Sequence, residues 1–341
     1  AGERKDWEDL PTSLNYNAVA GSYHPAGEGA AATPSWGTVA GVALRDADAV
    51  VGKLGNPIGI KSYKPYQSTG EDFLHNYIGM IGIPIDLHPE FPADAKLVLL
   101  TEAAKFDPEI VAKIKKQLED GKSVVITSGL LRALKGKGIE GICEAEVSDN
   151  KVLARDFSSG FGAGDRTDLG ADERKPGILF PEVRFLTNDA WALESAVENG
   201  LGYPIMLMDK YSHGTLYVWT IPDNFRNLYA LPSDVTSAIK DIVMKDFFVR
   251  LDGPSEVALF AYDNNTFVVE SFLPNQTEVR VTIDGTYTKL RNLVTGEAVA
   301  SYVPEAPRGF RRRRERADAP PKSHFLFPVL PHSFAAFSPE K

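Results

Sequence analysis

Three side chains that could act as an acid, a base or a proton shuttle lie close together near residue 70. Glu71, Asp72 and His75 follow the apolar segment 57–63, which the sequence predicts to be the first strand of a sheet. Ligands of open α/β sheets bind beyond the carboxyl ends of the strands, so these residues form one candidate catalytic cluster. Glycoside hydrolysis would need a second carboxylate from another strand end, and the sequence alone does not pair them.

The same residues have a structural interpretation, which the sequence favours. Ser68 and Glu71 have the Ser-x-x-Glu spacing of a capping box, directly before the predicted helix 71–82. His75 lies one helical turn from Glu71 and Asp72, a spacing typical of an ion pair on a helix face. Catalysis by this cluster stays open as the alternative to capping.

Ser128 follows the apolar segment 123–127 and superficially resembles the nucleophile of a strand-to-helix elbow. Such an elbow needs glycines on both sides of the nucleophile, whereas Thr127 stands directly before Ser128. This mismatch disfavours catalysis at Ser128, which we keep among the candidates. The single cysteine, Cys143, lies in an apolar context and is expected to be an inert small hydrophobic residue.

Several other kinds of site are disfavoured. The 6 histidines are scattered without the spacing of metal ligands, so no metal site is expected. The glycine-rich segment 160–164 is not followed by a helix, which a phosphate cradle requires, and no cofactor is expected. A net charge of −9 disfavours nucleic acid as a partner. The arginine-rich segment 308–316 predicts a solvated loop or a contact with an acidic patch.

Aromatic side chains can stack on sugar rings. The aromatic residues considered for this role are Trp36, Tyr63 and Tyr66, with Trp7 and Trp191 as further platforms, whereas Trp219 is expected in the core. The chain lacks the eightfold alternation of strands and helices of a catalytic barrel, which typically takes about 250 residues. Any complete glycosidase barrel would therefore have to come from elsewhere.

Short apolar segments alternate with helices in the first half of the chain. Strands are predicted at 57–63, 83–89, 96–102 and 123–129, with a helix at 107–121 begun by Asp107 and ended by Gly121. Apolar strands between amphipathic helices are typical of a parallel sheet covered on both faces. The fold class is therefore predicted to be α/β, a flavodoxin-like or Rossmann-like layered parallel sheet.

The remaining segments complete a three-part organisation. A hairpin is predicted around Asp149 and Asn150, strands at 203–211 and 214–222, and a helix at 233–246. Beyond Phe247, turn signals about ten residues apart predict a C-terminal antiparallel β-sandwich. The predicted parts are an arm or linker at 1–56 with a helix at 37–54, an α/β domain at 57–246 and the sandwich at 247–341.

Two further expectations concern the ends of the chain and its surroundings. No stretch approaches 18 uninterrupted apolar residues, and the chain opens on the polar segment 1–10, so neither a membrane span nor a signal peptide is visible. No membrane partner is expected, and a leader, if one existed, would already be removed. The chain begins at Ala1 rather than Met, from which we expect a piece of a longer polypeptide.

The segment 59–131 resembles the class I glutamine amidotransferase-like domain that follows the barrel in some large glycoside hydrolases, including the β-galactosidase trimerisation domain. The features that carry the resemblance are the order of strands, the helix that Asp107 begins, and the turn into VVITSG. The segments 263–272, 290–297 and 327–339 resemble the small β-sandwich that closes many such enzymes. True amidotransferases have a cysteine at the strand end occupied here by residues 127–129, so glutaminase chemistry is not expected.

The resemblance implies an accessory C-terminal region of a glycoside hydrolase-like protein. Such a region would support subunit assembly or complete a carbohydrate site, with a catalytic barrel domain or chain, or further copies of itself, as partners. The resemblance alone favours a periplasmic or secreted location. Two alternatives stay open: a self-sufficient carbohydrate-active hydrolase with its site near Glu71 and Asp72, and a sugar-binding module.

Overall fold

The computed structural model describes residues 36–160, 165–170, 176–186, 189–304 and 321–341. The predicted arm before residue 36, most of the glycine-rich segment 160–164 and the arginine-rich segment 308–316 lie outside the described residues. The described chain is rich in β-strands, which form four separate sheets.

The first half of the chain forms the parallel part of the largest sheet. Its elements are β2 (Ile60–Tyr63), α2 (Leu74–Met80), β3 (Ile85–His88), β4 (Leu97–Leu100), α3 (Ile110–Glu119), β5 (Ser123–Thr127) and α4 (Ser128–Ala133). Strands β3, β2, β4 and β5 are parallel neighbours in that order. Leu99, Val125 and Ile126 are fully buried, because both faces of these strands are covered.

Antiparallel strands extend this sheet beyond the predicted layer. They are β7 (Asp156–Ser159), β8 (Asp165–Asp168), β10 (Ala190–Glu198), β11 (Leu201–Tyr211) and β12 (Gly214–Trp219). Strand β12 is parallel to β5, and β11, β10, β7 and β8 follow with antiparallel pairing. The sheet has nine strands and is mixed, so the predicted parallel layer accounts for only part of it.

The hairpin predicted around Asp149 and Asn150 is wrong. Strand β6 (Ala145–Ala154) runs through these residues and pairs with β9 (Ile178–Phe185), with an irregularity between Val147 and Lys151. The Ser148 hydroxyl and the Asn150 amide both donate to the Glu182 carboxylate on β9. Ser148 and Asn150 therefore form their side-chain hydrogen bonds within a bulge of β6, and the chain does not reverse its direction there.

The C-terminal part consists of two antiparallel sheets. Its strands are β13 (Val249–Asp252), β14 (Val257–Tyr262), β15 (Phe267–Ser271), β16 (Thr277–Asp284), β17 (Lys289–Asn292), β18 (Ala298–Ala300), β19 (Lys322–Val329) and β20 (Ser333–Glu340). β13, β16 and β19 form one sheet, and the others belong to the second. The buried ring of Phe337 contacts the buried rings of Phe327 and Phe267, at centroid distances of 4.6 and 5.6 Å. We call this part the sandwich.

The large sheet and the sandwich are joined by one continuous core and by a shared chain segment. The short strand β1 (Pro57–Ile58) adds an edge to the sandwich by pairing with β14, and the chain then enters β2 of the large sheet at Gly59. Helix α5 (Ser233–Val243) contributes the buried Lys240, whose ammonium donates to the Leu251 carbonyl at 2.7 Å. Desolvation lowers the pKa of Lys240 to about 8.

The helix predicted at 37–54 is confirmed as α1 (Trp36–Val51). Val50 at its end packs against Val268 and Ala336 of the sandwich. The Lys53 ammonium donates to the Leu293 carbonyl at 2.9 Å, which fastens the exit of the helix to the same surface. None of the helices in the described ranges has both the length and the hydropathy to cross a membrane.

The backbone is closely packed at Gly59, where the chain passes from β1 to β2, and a substitution can test this packing. A Cβ on Gly59 would lie 2.7 to 2.9 Å from backbone atoms of Pro84, Ile85 and Asp86, which have little freedom to move. We expect Gly59→Ala to lower the free energy of unfolding by about 1–3 kcal/mol in urea titrations. Gly41→Ala, in open space on α1, is the control and should be neutral or slightly stabilising. A Gly59→Ala protein as stable as wild type would contradict the tight crossing.

Candidate functional site

The Glu71 carboxylate lies at the carboxyl ends of β4 and β5. Its Oε2 accepts a hydrogen bond from the Thr127 hydroxyl at 2.6 Å and another from the Glu102 backbone N–H at 2.8 Å. The backbone N–H of Gly129 also donates to this carboxylate. A Cβ on Gly129 would lie 2.3 Å from Glu71 Oε1, so only glycine allows this approach.

The environment of Glu71 opposes ionisation. Desolvation by burial raises the pKa of Glu71, and the nearby Glu102 carboxylate raises it further. The bonds from Thr127, Glu102 and Gly129 favour the charged form and lower the pKa, but the net shift is upward. A carboxyl with a raised pKa is a common property of general acids, and also of carboxylates buried for structural reasons.

The predicted capping box is wrong, although Glu71 does have a structural partner. Helix α2 begins only at Leu74, and Glu71 and Phe73 before it have φ angles of 49° and 67°. The left-handed backbone turns the Glu71 side chain away from α2 and toward the start of α4. The Ser68 hydroxyl donates to the Pro65 carbonyl instead of capping the helix.

Both hydroxyl groups at the end of β5 are engaged. The Thr127 hydroxyl donates to Glu71 and accepts from the Leu130 backbone N–H at 3.2 Å, which caps α4. Ser128 is buried, and its hydroxyl oxygen accepts from the Ile221 backbone N–H at 3.1 Å. Thr127 and Ser128 therefore fasten α4 and the exit from β12 to the strand end.

His75 does not form the expected ion pair with Glu71 or Asp72. Its Nε2 lies 2.8 Å from the Ser62 hydroxyl, which itself donates to the Leu99 carbonyl. When the hydroxyl proton is used in the bond to Leu99, the imidazole tautomer that fits is the one protonated at Nε2, which donates to the Ser62 oxygen. Desolvation, followed by the charge of Lys64, lowers the pKa of His75 to about 4, so the ring is neutral near pH 7.

Asp72 lies apart from this network. It is exposed, and its carboxylate pairs with the Lys64 ammonium at 3.3 Å. The backbone N–H of Gly70 and the Lys64 side chain lower the pKa of Asp72. Asp72 is thus ionised at the surface, while Glu71 and His75 are held in separate hydrogen-bond networks.

A groove of about 490 Å³ opens beside His75, between α2, β3 and strand β14 of the sandwich. Its lining is mainly apolar and includes Met80, Ile85 and Phe260. Here the two parts of the molecule meet along the edge strands β1 and β3.

The proposed sugar platforms have different environments. Tyr63 is buried, and its hydroxyl donates to the Asp107 carboxylate at 2.9 Å. Desolvation is the main cause that raises the pKa of Tyr63 to about 12, and the hydrogen bond to Asp107 is the second cause. Its ring packs edge-on against Phe91 and presents no open face. Tyr66 is 80% exposed. Trp36 begins α1, and its side chain lies outside the described part of the structure.

Two acidic residues near the strand ends escaped the sequence reasoning. Glu102 lies two residues beyond the end of β4, and its carboxylate pairs with the Lys105 ammonium at 2.6 Å. Asp107 was recognised only as a helix start, but it also joins Tyr63 and the Lys113 ammonium. The available signal for Glu102 was an acidic residue at the end of the predicted apolar strand 96–102.

The other reactive groups are structural or scattered. Cys143 is buried, and desolvation is the main reason that its pKa is raised to about 12. Within the described ranges, no group of three or more His, Cys, Asp or Glu residues is placed to hold a metal ion.

Comparisons with protein families match two segments of the chain. Residues 248–339 match the family described as probable glycosyl hydrolase, C-terminal domain. Residues 55–224 match the family described as uncharacterized protein SSO3021, second domain. No curated protein gives a significant match. The C-terminal region of this chain is therefore similar to a domain found at the C-terminus of probable glycosyl hydrolases.

Several solved structures align with this chain at low sequence identity. The alpha-L-fucosidase isoenzyme 2 of Paenibacillus thiaminolyticus aligns with a TM-score of 0.50 at 11% identity, over 90% of this chain and 52% of that one. The β-galactosidase of Bacillus circulans sp. alkalophilus gives 0.47 at 12% identity, over 82% and 41%. The β-galactosidase of Halorubrum lacusprofundi gives 0.47 at 11% identity, over 90% and 43%. This chain therefore spans about half or less of these proteins.

The raised pKa of Glu71 predicts a pH-dependent stability difference. Between the ordinary value of 4.5 and the higher folded value, the native state binds the additional proton. The free energy of unfolding of wild type, relative to Glu71→Gln, should therefore fall as the pH rises through this window and then level off. Urea titrations across the window measure it, with the exposed Glu119→Gln as the control. A difference that grows with pH would contradict the assignment.

His75 predicts the opposite slope. Its pKa falls from 6.5 to about 4 on folding, so the unfolded state binds the additional proton between these values. Acidification through this range should destabilise wild type relative to His75→Gln by up to about 3 kcal/mol. Urea titrations of the two proteins, with His213→Gln as the control, provide the measurement. Parallel pH profiles for wild type and His75→Gln would show that His75 titrates normally.

Proposed function

We propose that this chain is an accessory C-terminal region of a glycoside hydrolase-like protein, without amidotransferase activity of its own. In this role it supports the assembly of subunits or completes a carbohydrate site formed mainly by a catalytic barrel domain or chain. The match of residues 248–339 to a glycosyl hydrolase C-terminal domain supports the association with glycoside hydrolases.

The observation that carries the non-catalytic role is the closed end of β5. A nucleophile of the amidotransferase kind at this strand end would need a free hydroxyl or thiol and open space above it. Thr127 and Ser128 instead use their hydroxyls in structural hydrogen bonds, and the Glu71 carboxylate lies over the start of α4. The single cysteine, Cys143, is buried with a raised pKa, which opposes thiolate formation.

The amidotransferase-like interpretation of the layer also belongs to this proposal. Parallel pairing of β3, β2, β4, β5 and β12, with α3 packed on β5 and β12, supports it. The antiparallel extension through β11, β10, β7 and β8 is a departure from a simple flavodoxin-like sheet. The predicted division at residues 56 and 246 is likewise proposed. The match to the glycosyl hydrolase C-terminal domain begins close to the second boundary, at residue 248.

One observation favours a second candidate, a self-sufficient hydrolase at the strand ends. Glu71 has a raised pKa, as a general acid requires, and the Glu102 carboxylate lies near enough to contribute to that shift. In this alternative Glu71 would protonate a leaving group, and Glu71→Gln would abolish turnover. The accessory proposal instead expects no turnover by the wild-type chain, so Glu71→Gln would have no activity to remove.

An activity screen distinguishes the two candidates. We expect the full chain alone to hydrolyse neither aryl glycosides of the common hexoses nor glutamine, because Glu71, Thr127 and Ser128 are all engaged in structural hydrogen bonds at the end of β5. Restoring the barrel, in the same polypeptide or as a separate chain, should give glycosidase activity. Robust turnover by the isolated chain, lost in Glu71→Gln, would refute the accessory role.

Cys143 allows a chemical check on the same proposal. Its burial and raised pKa predict that iodoacetamide leaves the folded protein unmodified and alkylates it stoichiometrically in denaturant. Mass spectrometry of the intact chain gives the answer, and the denatured sample controls for reagent quality. Rapid alkylation of the native protein near neutral pH would mean that a reactive thiol exists after all.

A further inference from the structure

A second cavity lies on the large sheet, far along its antiparallel extension from the strand ends near Glu71. It has a volume of about 260 Å³ and is lined by residues of β7, β8, β10 and β11 and by Phe185 at the end of β9. The cleft is slightly smaller than typical small-molecule sites, which measure about 300–1,000 Å³, so it has room for a single ring. We call it the β10 cleft.

Strand register gives the β10 cleft a row of polar side chains. Ser195 on β10 lies opposite Ser158 on β7, and Ser158 lies opposite Arg166 on β8. Directly opposed residues point to the same face of a sheet, so two hydroxyls and a guanidinium line one face. The neighbouring Phe157 and Ala196 point to the other face and are buried in the core.

Trp191 supplies an aromatic wall to the β10 cleft. It is partly exposed on β10, close to two successive register shifts between Ala192 and Ser195. Such irregularities are common beside binding sites, where they redirect side chains. An indole has a large apolar face, which suits the C–H face of a sugar ring.

The charge of the β10 cleft is positive. Arg166 is the one charged residue among the described residues that line it, and no ion pair of Arg166 occurs within the described part of the chain. A guanidinium matches a carboxylate in bidentate geometry and prefers it to a neutral hydroxyl. An aromatic wall, two hydroxyls and an arginine together fit a ring that has one apolar face and one carboxylate.

We propose that the β10 cleft binds a saccharide unit bearing a carboxylate, that is, a uronic acid residue. The indole of Trp191 packs against the ring, Arg166 pairs with the carboxylate, and Ser158 and Ser195 bond to hydroxyl groups. This deepens the carbohydrate role in the proposed function, on which it rests, by naming the ligand class and placing it away from Glu71.

Binding is tested by calorimetry and tryptophan fluorescence on the full 341-residue chain. The probes are the methyl glycosides of glucuronic and galacturonic acid, each compared with the neutral glucoside or galactoside. We expect at least one uronate to bind about tenfold or more tightly than its neutral counterpart, as loss of one charge-assisted contact predicts. Arg166→Gln should reduce uronate affinity to the neutral level, and Trp191→Ala should remove binding of both sugars.

A cavity-filling variant keeps the test valid if Trp191→Ala fails to fold. A Cβ on Gly202 would lie 3.6 Å from the Ser195 Cβ, an ordinary contact, so Gly202→Leu can extend into the β10 cleft. It should abolish binding without lowering the melting temperature. Arg280→Gln, on the exposed face of β16, is the matched charge control and should bind like wild type.

Three outcomes would overturn the inference: no binding of either uronate, equal affinity for uronate and neutral glycoside, or uronate binding that survives Gly202→Leu. Assembly with a separately supplied barrel chain, followed by analytical ultracentrifugation, tests the proposed function without the cleft. Failure of sugar binding with intact assembly would therefore remove this inference alone. Failure of assembly together with turnover by the isolated chain would remove the proposed function.

Discussion

The carboxylate of Glu71 holds together the edge of the sheet where an α/β protein ordinarily presents its chemistry. Taking this group out of water is costly, and three donors at the ends of β4 and β5 offset part of that cost with hydrogen bonds. The donors belong to Thr127, Glu102 and Gly129, so the loop that carries Glu71 is fastened over both strand ends. The space that a substrate would need there is filled by the chain itself, which makes a supporting role consistent with the fold.

The join between the large sheet and the sandwich is also tightly packed. The edge strand β1 belongs to the sandwich by its pairing, yet the chain passes from it into the large sheet through Gly59, where no side chain fits. Lys240 buries its ammonium at this join against the Leu251 carbonyl, and apolar side chains of both parts form one cluster. Separating the sandwich from the layer would therefore expose core surface and remove an edge strand, so the two parts depend on each other.

Local signals in the sequence predicted the positions of helices and strands more completely than the side-chain contacts between them. Apolar runs and terminal glycines located β2 to β5, α3 and α5, because periodicity and turn chemistry act over a few residues. The polar contacts of Glu71 join residues 31 and 56 positions apart, and no local spacing contains that information. Ser68 and Glu71 matched a capping box by spacing, but the left-handed backbone at Glu71 directs its side chain elsewhere. Asn150 signalled a turn and is instead satisfied by Glu182 on a neighbouring strand.

A double-mutant cycle between Glu71 and Thr127 tests the central claim most directly. Glu71→Ala, Thr127→Val and the double variant are compared with wild type by urea unfolding at neutral pH, where the coupling energy isolates the contact between the two side chains. We predict a favourable coupling of about 0.5–1.5 kcal/mol, the usual net contribution of one hydrogen bond. Strictly additive effects of the two substitutions would contradict the account, because Glu71 would then not hold the end of β5 closed.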